Sequence, residues 1–543
     1  MKALRFSSLA LFLATVFAMM APPVSAYPLF RSAEMAPPPG VTLFEWIDSL
    51  SSLSELAPLR MIEPADGALV PVDAASPIFR WEADPATAWL VTLSVQDAPI
   101  CQGVVDTPHW VPDQRLWERI KADAGGQVIL ATVSGIGPDN TLFSRGATTL
   151  AVSQDPVSAQ IAFLRNLLPF RKAKDNPRDS QMLLGDPASY GMPRVVMQDQ
   201  PVCFNCHAYS ADGSTYGLDM DYKGDKGGYV LSPVRERLLI NDGNVISWNS
   251  YKAPKPAKYS MGLFTSFSSD GRYAASTVGE SSVFVMLDDL SFSQMFYPAT
   301  GQIAIYDRDK GVVAPLPGAD DTGLIQTSPA FTPDISRIAF ARAPVKPELV
   351  AAIEAGALRR EDPTQNIVEV NEKYPMQFSL YSIPFNNGRG GEPEPIAGAA
   401  DNGMSNFFPR FSPDGKWLVF TQCRSGLVLQ PDSRLVILPA QGGEPRVLEG
   451  NTGLMNSWHS WSPNSRWLAF AAKGNSPFTE IYLTHIDEHG RSSPSLRLFR
   501  FSHPEMAAMV PEFVPTGAGV TQKTMELADP EGAVGQSMAI DGR

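Results

Sequence analysis

The sequence predicts an all-β protein of two domains, an immunoglobulin- or fibronectin-like sandwich followed by a β-propeller. Two observations predict this fold class. Short stretches of alternating apolar and polar residues, broken by Pro and Gly, run from residue 57 to residue 153. Five copies of one strand and turn pattern follow them, between about residues 200 and 515. Alternation with a period of two indicates half-buried strands, and a long repeat indicates stacked or ringed units.

The first 26 residues are typical of a secretory signal peptide. Lys2 and Arg5 precede an apolar stretch over about residues 9–20, and Val24-Ser25-Ala26 matches a small-x-small cleavage site. The apolar stretch is too short to span a membrane stably, and no later run reaches the length of a spanning helix. We therefore expect cleavage after Ala26, export to the periplasm or beyond, and no membrane span.

The remaining segments outside the repeats carry weaker patterns. Residues 27–56 are expected to form a lead-in with one short helix at residues 43–47, before the sandwich at residues 57–153. Residues 156–170 show a helical apolar period, which predicts a helical linker over residues 154–199. The tail, residues 516–543, is expected to be a loose end.

The charge balance restricts the class of partner. The chain has 57 acidic and 44 basic residues, a formal net charge of −13. Nucleic acid is a poor partner for such a chain, because phosphate binding needs a basic face. A basic docking protein is compatible with it, through electrostatic steering that salt would weaken.

The five repeat copies share an aromatic residue, Ser or Thr, a small residue or Pro, Asp or Asn, usually Gly, and then a strand. They begin at Tyr209, Phe267, Phe331, Phe411 and Trp461. Pro presets the backbone of the second turn position, and Asp-Gly or Asn-Ser tolerates a tight reversal between strands. Such four-stranded units close into a propeller. Five repeats are visible and we expect six blades, the sixth completed by residues 509–513.

These copies resemble the repeat of the TolB-like propeller family, which reads roughly F-S-P-D-G-K before an apolar strand. The copy Phe411-Ser412-Pro413-Asp414-Gly415-Lys416 shows the match. The resemblance covers about residues 200 to 515. It implies the fold and no function, because one fold hosts many functions.

The motif that carries chemistry is Cys203-Phe204-Asn205-Cys206-His207. Haem c is held by thioether bonds to two cysteines, and the His directly after the second Cys is an axial ligand of the iron. The whole chain has four cysteines and six histidines, so the match is specific. We predict one covalent haem c per chain, attached to Cys203 and Cys206, with His207 as an axial ligand.

Zinc binding and dithiol redox chemistry are the two alternatives to haem at this motif. Zinc needs four ligands, and no second Cys-x-x-Cys supplies the rest. His485 and His489 have His-x3-His spacing, but residues 481–483 are typical of a strand that runs into them, so the two side chains would not share a helical face. A dithiol redox pair would prefer a thioredoxin-type alternation of strands and helices over a propeller blade. Both are disfavoured against haem.

The repeat suggests a second axial ligand. The residues three positions before the repeat Ser or Thr are His207, Thr265, Pro329, Pro409 and His459. If equivalent positions face one end of the central channel, the imidazoles of His207 and His459 should converge on one iron. The alternatives are that His459 is a hydrogen-bonded packing residue, that a methionine is the ligand, or that the iron is five-coordinate. The candidate methionines near repeat turns are Met220, Met261, Met404 and Met455.

The other two cysteines, Cys101 and Cys423, lie in different expected domains. They could form a disulfide after export, but two unpaired buried thiols are the favoured interpretation.

The chain also resembles a family of exported TolB-like propellers with CxxCH in the first blade and Asn-Ser-x-His-Ser-Trp in a late blade. The late motif here is Asn456-Ser457-Trp458-His459-Ser460-Trp461. The resemblance implies fold and haem but no pathway. The favoured function is a periplasmic monohaem cytochrome that exchanges single electrons with a protein partner. The alternatives are a haem enzyme with an open iron position and an interaction scaffold with a structural or sensory haem.

Overall fold

The computed structural model of the protein describes residues 27–534, except residues 33, 252–259, 285–286, 292–295, 360–365, 516 and 518. The predicted signal peptide, residues 1–26, lies outside the described residues. None of the helices in the described part of the chain combines the length and the apolar character needed to cross a bilayer.

The N-terminal domain is the predicted sandwich, built from a seven-stranded and a three-stranded sheet. Its elements are β1 (Leu29–Arg31), α1 (Leu43–Asp48), β2 (Ser51–Pro58), β3 (Met61–Glu63), β4 (Ala68–Pro71), β5 (Phe79–Trp81), β6 (Ala88–Val95), β7 (Ala98–Val105), β8 (His109–Trp110), α2 (Gln114–Ala124), β9 (Ile129–Ile136) and β10 (Thr141–Ser153). The large sheet has the order β1-β7-β6-β9-β10-β2, with β4 also paired to β10, and the small sheet has the order β3-β5-β8.

Alternation explains why these strands pack. Along β6, Val91 and Leu93 are buried on one face, and they meet Trp81 of the small sheet and Trp117 of α2 in one apolar core. The predicted helix at residues 43–47 is confirmed as α1, where Thr42 and Glu45 form a reciprocal cap. The lead-in prediction is wrong in one respect: β1 and β2 are strands of the large sheet, so the sandwich begins at residue 27 and not at residue 57.

The second domain is a propeller of six four-stranded blades, numbered I to VI. Blade I begins with β11 (Ile161–Asn166), α3 (Phe170–Asp175), β12 (Gln181–Gly185) and β13 (Arg194–Met197). Blade II has β14 (Phe204–Tyr209), β15 (Thr215–Met220), β16 (Gly228–Pro233) and β18 (Val245–Ser247), with β17 (Arg237–Ile240) between the last two. Blade III has β19 (Leu263–Phe267), β20 (Tyr273–Phe284), β21 (Phe296–Asp307) and β22 (Val312–Pro315).

Blade IV has β23 (Leu324–Phe331), β24 (Arg337–Pro344), α4 (Pro347–Glu354), α5 (Ile367–Lys373), β25 (Ser379–Pro384) and β26 (Glu394–Pro395). Blade V has β27 (Ser405–Phe411), β28 (Trp417–Cys423), β29 (Arg434–Pro439) and β30 (Arg446–Val447). Blade VI has β31 (Ser457–Trp461), β32 (Trp467–Ala472), β33 (Glu480–His485) and β34 (Leu496–Arg497). The chain then returns to blade I as β35 (Ala507–Phe513) and ends with β36 (Thr524–Leu527) and α6 (Pro530–Ala533).

Ring closure joins the two ends of the propeller sequence. Strand β35 is the inner strand of blade I and pairs antiparallel with β11, in the register Ile161 to Phe513 and Arg165 to Ala508. The six inner strands β35, β14, β19, β23, β27 and β31 follow one another around the channel. The expected sixth blade, completed by residues 509–513, is therefore confirmed.

Two of the predicted segments are corrected by this closure. Residues 161–166 are a strand and not a helix, so the expected helical linker over residues 154–199 is the outer part of blade I. All six residues of β11 are buried, because both faces of a blade pack against neighbours, and the strand therefore lacks a polar alternation. The described part of the tail is not loose either, because β36 pairs in parallel with β17 of blade II; residues 535–543 lie outside the described residues.

The repeat turn is built by its hydroxyl residue. In blade V, Ser412 Oγ donates to Asp414 Oδ1 at 2.6 Å and accepts from the amide of Trp417 at 3.0 Å. Both contacts recur in the other four copies. The residue after the Asp or Asn has a positive φ in every copy, which explains the preference for Gly there.

Candidate functional site

The CxxCH motif lies at one mouth of the propeller, where the inner strands begin and the second strands end. Cys203 directly precedes β14, and Asp221 directly follows β15. Around them is a pocket of about 160 Å³, which we call the Cys203 pocket. Its apolar walls include Phe170, Phe204, Met220, Met261, Leu263 and Phe284, and its polar residues include Lys174, Asp219, Asp221 and Lys226.

The inner strand of blade II differs from the other five in its backbone. Each of the six inner strands carries a register shift of the β-bulge kind near its C-terminal end. In five of them one residue of the bulge has a positive φ: Phe264, Ser328, Phe408, Trp458 and Val510. Cys206 occupies the equivalent position of β14 and does not have a positive φ. The one inner strand whose bulge lacks this left-handed residue is therefore the strand that carries the CxxCH motif.

The two thiols are separate, and both lie at this mouth. Cys203 is half-buried, lines the pocket, and has its Sγ 3.9 Å from the carbonyl oxygen of Lys174. Burial, with a smaller contribution from the carboxylate of Asp219, raises the pKa of the Cys206 thiol well above its usual range. A protonated thiol is a poor nucleophile, so this environment does not favour a thioredoxin-type pair.

His207 is buried with no hydrogen bond to its ring. Its side chain is 3% exposed, and neither Nδ1 nor Nε2 has a hydrogen-bond partner. The ring lies beside the backbone of Ala162 in β11, against blade I. Burial lowers the pKa of His207 to about 4, against a smaller opposing effect of a contact with the backbone of Ala162 that does not meet the geometry of a hydrogen bond. A neutral imidazole with two unpaired nitrogens is costly in an interior unless something binds it.

His459 occupies the equivalent position of blade VI and is bonded. Its Nε2 donates to the carbonyl oxygen of Val419 in β28 at 3.1 Å, so the ring packs against blade V. Burial lowers the pKa of His459 to about 3, with a further decrease from Arg410. The two imidazoles thus face different neighbouring blades, and the structure does not bring them together. The expectation that this repeat position faces the channel fails, because the side chain points at the preceding blade.

The methionines named from the sequence divide into two groups. Met220 and Met261 line the Cys203 pocket. Met455 is 1% exposed inside the core shared by blades III, IV and V, and Met404 precedes β27 away from the pocket lining.

Cys101 and Cys423 are both buried, one in the sandwich and one in blade V. Each is a free thiol, so no disulfide joins them.

Asp219 brings an unpaired carboxyl oxygen to the pocket. Its Oδ1 is buried and has no hydrogen-bond partner. Burial, together with the neighbouring carboxylates of Glu280 and Asp221, raises the pKa of Asp219 well above its usual range. Nowhere in the described ranges do three or more His, Cys, Asp or Glu side chains come close enough together to hold a metal ion.

An ion pair lies within the channel, and the sequence alone did not predict it. Arg410 of β27 and Glu512 of β35 approach to 3.6 Å between Nη2 and Oε1. Burial raises the pKa of Glu512 to about 7, although Arg410 opposes the increase. Each residue directly precedes the phenylalanine that ends its strand, Phe411 in β27 and Phe513 in β35. The alignment of β35 would have revealed this, but β35 lacks the Ser-Pro-Asp turn that marks the other copies.

The residues present fit a haem c in type and place, though not in backbone conformation. Cys203 lines a pocket with apolar walls, and Cys206 lies beside Asp219 of the same pocket. His207 supplies unpaired nitrogens, but it projects from β14 toward blade I while Cys206 is on the side of Asp219. Use of all three residues by one haem requires residues 203–207 to leave the extended strand.

Comparison with known proteins adds likenesses of fold. No protein-family model and no curated protein matches the chain. Among solved structures it is similar to TolB from Acinetobacter baumannii, with 15% identity, a TM-score of 0.40, and coverage of 72% of this chain and 80% of that chain. It is also similar to a protein described as a TolB from Agrobacterium tumefaciens, with 13% identity, a TM-score of 0.34, and coverage of 66% and 100%. Neither likeness bears on function.

Proposed function

We propose that this protein is a periplasmic c-type cytochrome, in which one haem is attached to Cys203 and Cys206 in the Cys203 pocket and ligated by His207. The observation that carries the proposal is the state of His207. A buried imidazole, neither nitrogen of which has a partner with the geometry of a hydrogen bond, directly follows the second cysteine of a CxxCH motif, and the first cysteine lines a pocket with apolar walls. An iron ligand is the partner that such a nitrogen lacks.

The pocket residues would perform the remaining tasks. The aromatic and aliphatic walls, among them Phe170, Phe204 and Phe284, would exclude water from the macrocycle. Lys174 and Lys226 bring positive charge to the pocket, which suits the carboxylates at a haem edge. When bound, haem c supplies reversible one-electron transfer at its iron. The propeller and the sandwich hold this site on rigid strands and offer surface to a redox partner.

The sandwich is firmly joined to the propeller, which supports a role in docking as one unit. Arg497 of blade VI pairs with Glu63 of the sandwich, with Nη2 2.7 Å from Oε2, and with Glu480 of blade VI at 2.6 Å. All three side chains are largely buried. Loss of one partner from such a set leaves an unpaired buried charge, so the junction resists opening.

A haem enzyme is the second candidate function, and Asp219 favours it. A carboxyl group with a raised pKa beside the pocket could act as a general acid. That function needs an open iron position, whereas electron transfer is served by two protein ligands. Binding of carbon monoxide to the reduced protein separates the two: rapid stoichiometric binding supports the enzyme, and no binding supports the cytochrome.

The experiment is production of the full chain in a periplasm that carries a cytochrome c maturation system, followed by haem staining on a denaturing gel. We expect stained wild-type protein and no stain for Cys203→Ser/Cys206→Ser. Cys101→Ala/Cys423→Ala is the matched control and should stain fully, because those cysteines lie in other parts of the fold. Equal staining of both double variants, or no stain in the wild type, would contradict the proposal.

A further inference from the structure

The Cys203 pocket is lined by two residues that each have a buried oxygen without a hydrogen-bond partner. One is Asn166, the last residue of β11, which is 3% exposed and whose Oδ1 accepts no hydrogen bond. The other is Asp219 of β15, through its Oδ1. They reach the pocket from blade I and blade II. Buried acceptors without donors are costly to a fold, and a ligand with N–H or O–H groups would supply the missing hydrogen bonds.

The charges around these oxygens favour a cation. The carboxylates of Glu280 and Asp221 lie close enough to Asp219 to raise its pKa. Lys174 and Lys226 line the same pocket, and the ammonium group of Lys226 pairs with Asp221. The three carboxyl groups thus outnumber the two ammonium groups. A cation bound beside Asp219 would stabilise the ionised form of its carboxyl group.

The walls and size of the pocket suit an organic cation. Phe170 of α3, Phe204 of β14 and Phe284 of β20 line it from blades I, II and III. The face of an aromatic ring attracts an ammonium group, and the ring also shields a hydrocarbon group from water. The volume of about 160 Å³ is close to that of a cavity that admits one benzene molecule, roughly 150 Å³. A bare metal ion would leave most of this space unfilled.

We propose that the Cys203 pocket binds a small organic ammonium ion, held by Asn166 and Asp219 and enclosed by the three phenylalanine rings. Its N–H groups would donate to the two unpartnered oxygens, and its hydrocarbon part would contact the rings. The site belongs to the haem-free chain, in which residues 204–207 are part of β14. The proposal goes beyond the haem and does not rest on it, because neither Asn166 nor Asp219 belongs to the CxxCH motif.

The test is a ligand-observed magnetic resonance titration of the haem-free full chain, Cys203→Ser/Cys206→Ser, with butylammonium as the probe. Its matched neutral and anionic probes are 1-butanol and butyrate. We expect saturable binding of butylammonium and none of butyrate. The affinity for 1-butanol should be lower by at least about tenfold, because a neutral group gains no attraction from the carboxylates.

Substitutions in the same background locate the site. Asp219→Asn and Asn166→Leu should each weaken butylammonium binding by at least about tenfold, because each removes one charged or polar acceptor. Asn205→Leu is the matched control, since Asn205 lines the same pocket but has no buried unpartnered oxygen. It should change the affinity by less than about threefold.

The proposal is overturned by equal affinities for butylammonium and 1-butanol, or by a preference for butyrate. It is also overturned if an equal concentration of potassium chloride displaces butylammonium fully, which would assign the site to a bare ion. Unchanged binding in both Asp219→Asn and Asn166→Leu would place the ligand elsewhere. Haem staining of the wild type is a separate measurement, so failure of the proposed function and failure of this proposal are distinguishable.

Discussion

Blades II and VI place a histidine at the same position of the same strand motif and give it two different environments. In blade VI, His459 donates from Nε2 to Val419 of the preceding blade, and the neighbouring Trp458 has a left-handed backbone with a φ of +46°. In blade II, His207 lies beside Ala162 of the preceding blade without a hydrogen bond, and its neighbour Cys206 is not left-handed.

The comparison teaches which of the two histidines serves the fold. His459 completes a contact between blades VI and V through its hydrogen bond to Val419. His207 has the same burial and leaves two nitrogens unpaired, which a fold does not select for its own stability. The proposed role of His207 as an iron ligand would account for this environment.

The largest expected effect separates the two histidines in the haem-loaded protein. His207→Ala should lose one axial ligand and change the ferric spectrum from low-spin to high-spin, because no other imidazole lies next to the cysteines. His459→Ala should keep the wild-type spectrum, because its ring faces blade V. Optical and electron paramagnetic resonance spectra of the two variants make the measurement. A spectral change in His459→Ala with none in His207→Ala would reverse the comparison.

The second expected effect is on the pH dependence of stability. Burial lowers the folded-state pKa of His207 to about 4, whereas an unfolded histidine titrates near 6.5. The unfolded chain therefore binds more protons below pH 6.5, and the contribution of the neutral ring to stability is full above pH 6.5 and lost as the pH falls toward 4. The loss is about 1.4 kcal/mol per pH unit, or about 3 kcal/mol at pH 4.5.

Urea unfolding measures this effect in the Cys203→Ser/Cys206→Ser background, which removes haem from the comparison. His207→Leu should flatten the decline between pH 6.5 and pH 4. His459→Leu should flatten it down to about pH 3, since burial lowers the pKa of His459 to about 3. An unchanged pH dependence in His207→Leu would show that its ring is not neutral and buried.

The smallest expected effect is on stability at pH 7.5 in the same background. His459→Leu should lower the free energy of unfolding by about 1–2 kcal/mol, because the carbonyl of Val419 loses its donor. His207→Leu should be neutral or stabilising by up to about 1 kcal/mol, because it removes two unpaired polar atoms. Equal destabilisation by both substitutions would indicate that His207 has a structural bond in solution.

Much of the fold is readable in the sequence because the propeller repeats a strong local signal. The hydroxyl and carboxyl groups of pairs such as Ser412 and Asp414 must meet at the turn, which conserves their spacing in every copy. Blade I does not contain this turn pattern. Its inner strand β35 is about 340 residues from β11 and has no repeat turn, while β11 is buried on both faces and imitates a helical pattern.

The candidate site was predicted in part for the same reason. CxxCH is a contiguous motif, so Cys203, Cys206 and His207 are identifiable without a fold. The role of His459 was misjudged because the repeat alignment gives a position and not the direction of a side chain. The bulge turns that direction toward the preceding blade.

The most direct test of the account is the intact mass of the full chain after periplasmic production with a cytochrome c maturation system. The account predicts a mass that exceeds that of the processed polypeptide by one haem, and the loss of this increment in Cys203→Ser/Cys206→Ser. A wild-type mass equal to that of the polypeptide alone, from cells that mature a control cytochrome normally, would contradict it.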